Sequence, residues 1–362
     1  METHLDKVTP PFSCQFTPQV PELLLKLNCT LALSTYQAGK VILLSAANEH
    51  QLNVLPRTFN KAMGIAVDGN RMAIATRDEI IKLVNVPELG THYPNQPGKY
   101  TSLFVPRATY YTGNVDMHDL EFGVDGLWAI NTSFSCLCLI NDDYSFIPKW
   151  TPPFITELVS QDRCHLNGLT LVNGKPKYVT ALGQGNTTQS WRGNIEKGGI
   201  LMDVETNEII LKDLPMPHSP RLYKGELYMA LSASGDVIRV DVKNKSYEVI
   251  RNLEGFVRGI AIVDDYMFVG MSKLRKNSST FAKLPFAEKA SEAGIKILHI
   301  PTKAYVGSIK FKSSVDEIYD LQLIAGDTKV GILNTINEIH KYSLSIPGAT
   351  FWATPKSPTE NT

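Results

Sequence analysis

The sequence has no excess charge of either sign, with 36 Lys+Arg set against 36 Asp+Glu over 362 residues. Nucleic-acid backbones and anionic bilayers both attract clustered Lys and Arg, so neither is an expected partner. No apolar run approaches the roughly 18 residues that a spanning helix needs. The opening stretch METHLDKVTPPFSCQFTP shows no basic segment followed by an apolar one. A cytoplasmic, membrane-free protein is the expectation. The five cysteines, Cys14, Cys29, Cys136, Cys138 and Cys164, are odd in number and thinly scattered, which excludes a disulfide framework and a zinc ribbon. Also missing are a GxSxG elbow, a GxxxxGK[ST] phosphate loop, an HExxH helix and a GxGxxG turn, so serine-hydrolase, P-loop, zincin and Rossmann chemistries have no anchor. Cys136 and Cys138 alternate with Leu and read as buried fillers. Cys164, beside His165, is the one thiol with a catalytic candidate next to it.

What the chain does have is a succession of short β-rich runs, among them KVILLSA, RMAIAT, GLWAIN, ELYMAL and YMFVGM, bounded by Gly, Asn, Asp and Pro. Helical spacing is confined to PELLLKL at 21–27 and FAEKASEAG at 286–294. Six segments repeat one pattern of apolar pair, turn and second strand: GIAVDGNRMAIAT, DLEFGVDGLWAIN, GLTLVNGKPKYVTAL, RLYKGELYMAL, GIAIVDDYMFVGM and DLQLIAGDTKVGIL. Their apolar anchors are Ile65, Leu120, Leu169, Leu222, Ile260 and Leu321, a spacing that fits four-stranded blades with variable loops. The expected fold is an all-β, single-domain β-propeller of six or seven blades. Seven is the favoured count, because TLALSTYQAGKVILLSA looks like a further blade lacking its innermost strand. A first blade split between the chain ends would remove the free sheet edge. The expected boundaries are an N-terminal extension at 1–28 with a short helix, the propeller at 29–346 and a flexible tail at 347–362.

In a propeller the residues just before each anchor converge on the mouth of the central channel. Four residues before the anchors stand Lys61, Asp116, His165, His218, Phe256 and Glu317; two before stand Met63, His118, Asn167, Pro220, Arg258 and Tyr319. Strand alternation turns these two offsets to the same side. His118, His165 and His218 with Asp116 form a ligand set for Zn, Fe, Mn or Cu. The same imidazoles with Glu317 and Tyr319 are the expected catalytic groups. Arg258, Lys61, Asn167, Trp191 and Arg192 are the expected substrate-binding side chains. The reading is an enzyme of hydrolase, lyase or isomerase type, acting on a small molecule or peptide at the channel mouth. The alternative is a non-catalytic scaffold that binds a protein or sugar through rim loops carrying Trp191 and Arg192. Arg77, Asp78 and Glu79 read as a solvated hairpin at the opposite end from the funnel.

The motifs CTLALSTYQAGKVILLSA, MGIAVDG, ATRDEI, PRATYYTGNVDMHDLEFGVDGLWAINTSFSCL, PPFITELVSQDRCHLNGL, YVTALG and MPHSPR resemble a bacterial family of propeller proteins of uncharacterised function. The likeness runs from about Cys29 to about Gly326. More distantly, the blade pattern is similar to the calcium-dependent lactonase, gluconolactonase and strictosidine-synthase propellers. That resemblance implies a site at the channel mouth, with Asp116, Asn167 and Glu317 matching the family's oxygen ligands in kind. Three histidines in place of further oxygen donors make calcium less expected than a borderline metal or metal-free His catalysis.

Overall fold

A computed structural model describes residues 9–274 and 290–354. Six four-stranded antiparallel sheets stand as the blades of a β-propeller. The innermost strands, in blade order, are Asp320–Ala325, Ile65–Asp68, Met117–Gly123, Leu166–Val172, Pro217–Tyr223 and Phe256–Val263.

Six rather than seven blades follow from the way the ring closes. The sixth repeat, DLQLIA, and the N-terminal run CTLALST are one sheet: Asp320–Ala325 pairs antiparallel with Cys29–Thr35, from Ser34 opposite Asp320 to Cys29 opposite Ala325. The strand missing from the N-terminal blade is thus supplied by the C-terminal repeat. Two further strands lock this closure from either side. Cys14–Phe16 adds to the outer edge of blade six by pairing with Ala304–Phe311, and Val330–Ile332 adds in parallel to Ser102–Tyr111 of blade two.

Alternation along each strand gives every sheet two apolar faces, and each gap between neighbouring blades holds its own core. In blade three, Ala129 packs with Met63 and Ala73 of blade two, whereas Trp128 and Ile130 pack with Leu169 and Val179 of blade four. Hydroxyls near the ends of second strands tie one blade to the next. Thr132 donates to the Leu166 carbonyl (2.6 Å), Ser232 to that of Val257 (2.6 Å) and Ser272 to that of Ile318 (3.1 Å).

The expected N-terminal helix is Val20–Lys26, with Pro21 at its start and Val20, Leu23 and Leu24 buried against blades one and six. The second expected helix fails where it can be followed. Residues 290–293 are irregular and Gly294 opens a strand, and 286–289 lie outside the described residues. Ser343–Ile346 and Ala349–Trp352 form a hairpin whose Trp352 donates to the Leu89 carbonyl (3.0 Å).

Candidate functional site

The register of each blade fixes which residues enter the channel. Ile65 stands opposite Ile74, Leu120 opposite Ala129 and Ile260 opposite Val269. In blade five the expected anchor, Leu222, is displaced. The register jumps between His218 and Arg221, and Leu222 is 39% exposed. Met229 precedes Ser232 as Ala129 precedes Thr132 and Val269 precedes Ser272, so the position facing it is Pro220. The same register jump stands in blades three and six, so the true anchor of blade five lies two residues before Leu222. His218 therefore belongs with His118, and Met216 takes the place expected for His218.

With that correction the mouth consists of two rings, each drawing one residue from every blade. The upper ring is Lys61, Asp116, His165, Met216, Phe256 and Glu317; the lower ring is Met63, His118, Asn167, His218, Arg258 and Tyr319. Lys61, Asp116, His165 and Met216 share a left-handed backbone, with φ of 49°, 51°, 52° and 54°. They sit in the turn before the strand, so alternation does not govern them. Left-handed backbone at four non-glycine residues is a local cost of about 1–2 kcal/mol each, of the kind that gathers at functional sites.

Ten of the twelve side chains line one cavity of about 270 Å³, which Tyr36, Leu182, Trp191, Arg192, Ser272, Lys273 and Leu274 complete. Lys61 and Asn167, expected to bind substrate, are not among its walls. The Lys61 ammonium turns to Tyr36, 3.4 Å from its hydroxyl. Asn167 is buried, and its Oδ1 accepts from the Thr180 hydroxyl at 2.6 Å. The Asn167 Nδ2 has no acceptor among the described residues.

In a six-bladed ring, blades three and six face each other, and their lower-ring residues meet across the axis. Arg258 Nη2 donates to His118 Nε2 (2.7 Å), while His118 Nδ1 lies 2.6 Å from the Tyr319 hydroxyl. A guanidinium can only donate, so Nε2 holds the lone pair and Nδ1 carries the hydrogen. Burial, then the neighbouring Arg258 charge, holds the His118 pKa well below the usual imidazole range. The same two causes lower that of His218. Its Nδ1–H faces the Met216 carbonyl (3.0 Å) and the Ser232 hydroxyl (2.8 Å).

His165 is held differently. Its Nδ1–H donates to the Asp162 carboxylate (3.0 Å), Trp191 Nε1 donates to the same carboxylate (3.0 Å), and the imidazole packs 4.3 Å from the Trp191 ring. His165 also lines the cavity, and its Nδ1 is the nitrogen engaged by Asp162. Asp162 was not anticipated, although its place three residues before His165 was open to inspection. Trp191 is 4% exposed, so it is a wall of the site and not a rim anchor for a partner; Arg192 lies exposed over its ring. Cys164 is buried, which pushes its thiol up to about 12 and keeps it from acting as a thiolate near neutral pH.

The three imidazoles of the expected metal set stand together, His118 lying 5.1 Å from His165 and 6.2 Å from His218 between ring centroids. Both His118 nitrogens are engaged, and among the described residues no group of three or more His, Cys, Asp or Glu side chains is placed to hold a metal ion.

Below the two rings a belt of hydrogen bonds joins the blades. The next position down reads Gly64, Asp119, Gly168, Ser219, Gly259 and Asp320, glycine alternating with an acceptor. Asp320 accepts from the Ile65 amide (2.9 Å), Asp119 from that of Leu169 (3.0 Å) and Ser219 from that of Gly259 (3.0 Å). Each glycine in turn lets the innermost strand of the following blade come close: a Cβ on Gly64 would lie 2.8 Å from the Asp119 Cα. Arg221 spans both carboxylates, 3.3 Å from Asp119 and 3.3 Å from Asp320. The hairpin Arg77–Glu79 is on the mouth side, contrary to expectation. The Arg77 amide bonds the Asn60 carbonyl (3.0 Å) in the loop entering blade two, since the second strand of a blade runs back to the face where the first began.

The chain belongs to the DUF4915 family, a domain of unknown function that matches residues 18–333. A comparison with curated proteins finds no match. Among solved structures, the fold is similar to a chain of the nidogen/laminin complex, with a TM-score of 0.50 at 8% identity over 83% of this chain and 99% of that one. At that identity the likeness speaks to the fold alone.

Proposed function

We propose that the funnel is a small-molecule site in which His165 exchanges protons with the bound substrate, as in a hydrolase, lyase or isomerase. The observation that carries this reading is the Asp162–His165 pair. A carboxylate fixes Nδ1–H, an indole N–H steadies the carboxylate, and the imidazole lines a cavity. That is how a general base is oriented. Glu317 and Tyr319 line the same cavity. The five unpaired thiols support a cytoplasmic setting.

The test is a metabolite panel screened for stabilisation of the protein, with each hit followed by NMR for conversion by the wild type, His165→Gln and Asp162→Asn. Conversion by the wild type, reduced about 10²-fold or more in His165→Gln while binding persists, supports the reading. Binding with no conversion by the wild type, or conversion unchanged in His165→Gln, rejects it.

A further inference from the structure

Arg258 lines the cavity and is 9% exposed. Among the described residues no carboxylate pairs with it; it meets the neutral imidazole of His118 (2.7 Å) and the face of the Tyr319 ring (3.4 Å to the centroid). Arginine cannot shed its proton at any ordinary pH, and a buried charge without a counter-charge is strongly unfavourable. The other buried arginine of the channel, Arg221, illustrates the contrast, lying between Asp119 and Asp320. Arg258 therefore stands as a buried cation facing a cavity, with five N–H donors and neutral side-chain neighbours, His118 and Tyr319.

We propose that the ligand of this cavity is a carboxylate monoanion with an apolar body, its carboxylate held by Arg258. This names the substrate class of the site read above and rests on the cavity being a ligand site, though not on His165 acting as a base. Two features narrow the class. Asp116 stands in the upper ring, where it opposes a second negative charge, so a dianionic phosphate is disfavoured. Leu182, Trp191, Met216, Phe256 and Leu274 form the wall on the side of blades four to six, which suits a hydrocarbon or aromatic body. A free carboxylic acid and the C-terminus of a peptide share this chemistry.

The experiment is calorimetric titration of the full chain with a graded series of acids, from acetate through 4-methylpentanoate to phenylacetate and 3-phenylpropanoate. The matching primary amides, N-acetyl-Gly-Phe, its amide and inorganic phosphate are titrated alongside. The expected result is binding of at least one acid, at least tenfold weaker binding of its amide, and none of phosphate. Binding is lost in Arg258→Met and kept in His165→Gln. N-acetyl-Gly-Phe binding better than any free acid identifies the carboxylate as a peptide C-terminus; the reverse identifies a small acid. No acid binding better than its amide, or phosphate binding best, overturns the proposal.

Arg258→Met also gives a readout that needs no ligand. An arginine waiting for an anion is expected to leave Tm unchanged or raised when replaced, whereas a drop of more than about 10 °C would make Arg258 a structural group and sink the idea. Arg258→Lys, which keeps the charge and loses the fork, is expected to bind the acid at least tenfold more weakly. Acid binding that depends on Arg258 without any turnover would reject proton transfer and keep the anion site. Turnover of a neutral compound, undisturbed in Arg258→Met, would do the opposite.

Discussion

Arg258 of the sixth blade and His118 of the third are joined across the channel axis by a 2.7 Å hydrogen bond. The bond fixes the imidazole tautomer and leaves the guanidinium without an anionic partner among the described residues. Burial and the Arg258 charge both oppose a proton on His118.

The first expectation concerns that tautomer. His118 is expected to stay neutral with hydrogen on Nδ1 from pH 8 down to pH 5.5, since burial and the Arg258 charge hold its pKa well below the usual imidazole range. Long-range nitrogen–proton correlation spectra of the imidazoles read this directly. A His118 signal that shows protonation within that pH range would contradict the geometry. Arg258→Met removes the nearby charge and the donor, and is expected to raise the His118 pKa.

The carboxylates below the two rings set a dependence of stability on pH. Burial raises Asp119 to about 6 and Glu121 to about 7, partly offset by Arg221. The folded state therefore holds protons that the unfolded chain has already released, since model carboxylates titrate near 4. Where the native state binds more protons, stability falls as pH rises. The contribution of these two groups is thus present below about pH 4 and is lost as pH rises through about 6 to 7. Glu121→Gln keeps the shape without the charge. It is expected to raise Tm by about 2–4 °C at pH 7.5 and to do little at pH 5. Equal effects at both pH values would count against a protonated Glu121.

The alternation of glycine with an acceptor makes a steric prediction. In Gly64→Ala the new Cβ would meet the Asp119 Cα at 2.8 Å and the His118 carbonyl at 2.9 Å, both backbone. The cost is expected to be about 1–3 kcal/mol, seen in denaturant unfolding. Gly69→Ala, where a Cβ meets nothing but φ is positive, separates clash from backbone strain. A Gly64 variant no worse than the Gly69 one would mean that the blades slide apart easily.

Ser232 performs two tasks, donating to the Val257 carbonyl and facing Nδ1 of His218. Ser232→Ala strands a buried carbonyl, and is expected to cost about 1–3 kcal/mol. Thr132→Val, which deletes the corresponding tie between blades three and four, is expected to cost a similar amount without touching a site histidine. Loss of ligand binding in the first and not the second would show that His218 needs its hydroxyl partner.

The sequence by itself determined the repeat, and with it the blades, because alternation of apolar residues and the turns between them are local properties of the chain. It also placed His118, His165, Arg258, Glu317 and Tyr319 at the mouth, since a repeated strand entry delivers equivalent residues to the same axis. What needed the tertiary structure was everything that depends on sheet pairing or on opposite blades meeting. That DLQLIA completes the blade begun by CTLALST is a pairing of segments about 290 residues apart, and no local pattern distinguishes it from a seventh blade. That the blade-five anchor is Pro220, two residues before the apolar Leu222 that the repeat pattern selects, follows only from the pairing within the sheet. The partners of Arg258 and His165 were hidden for two different reasons. His118 lies across the ring, at a distance in sequence that carries no signal. Asp162 lies one turn away, in a left-handed segment where strand periodicity has nothing to say.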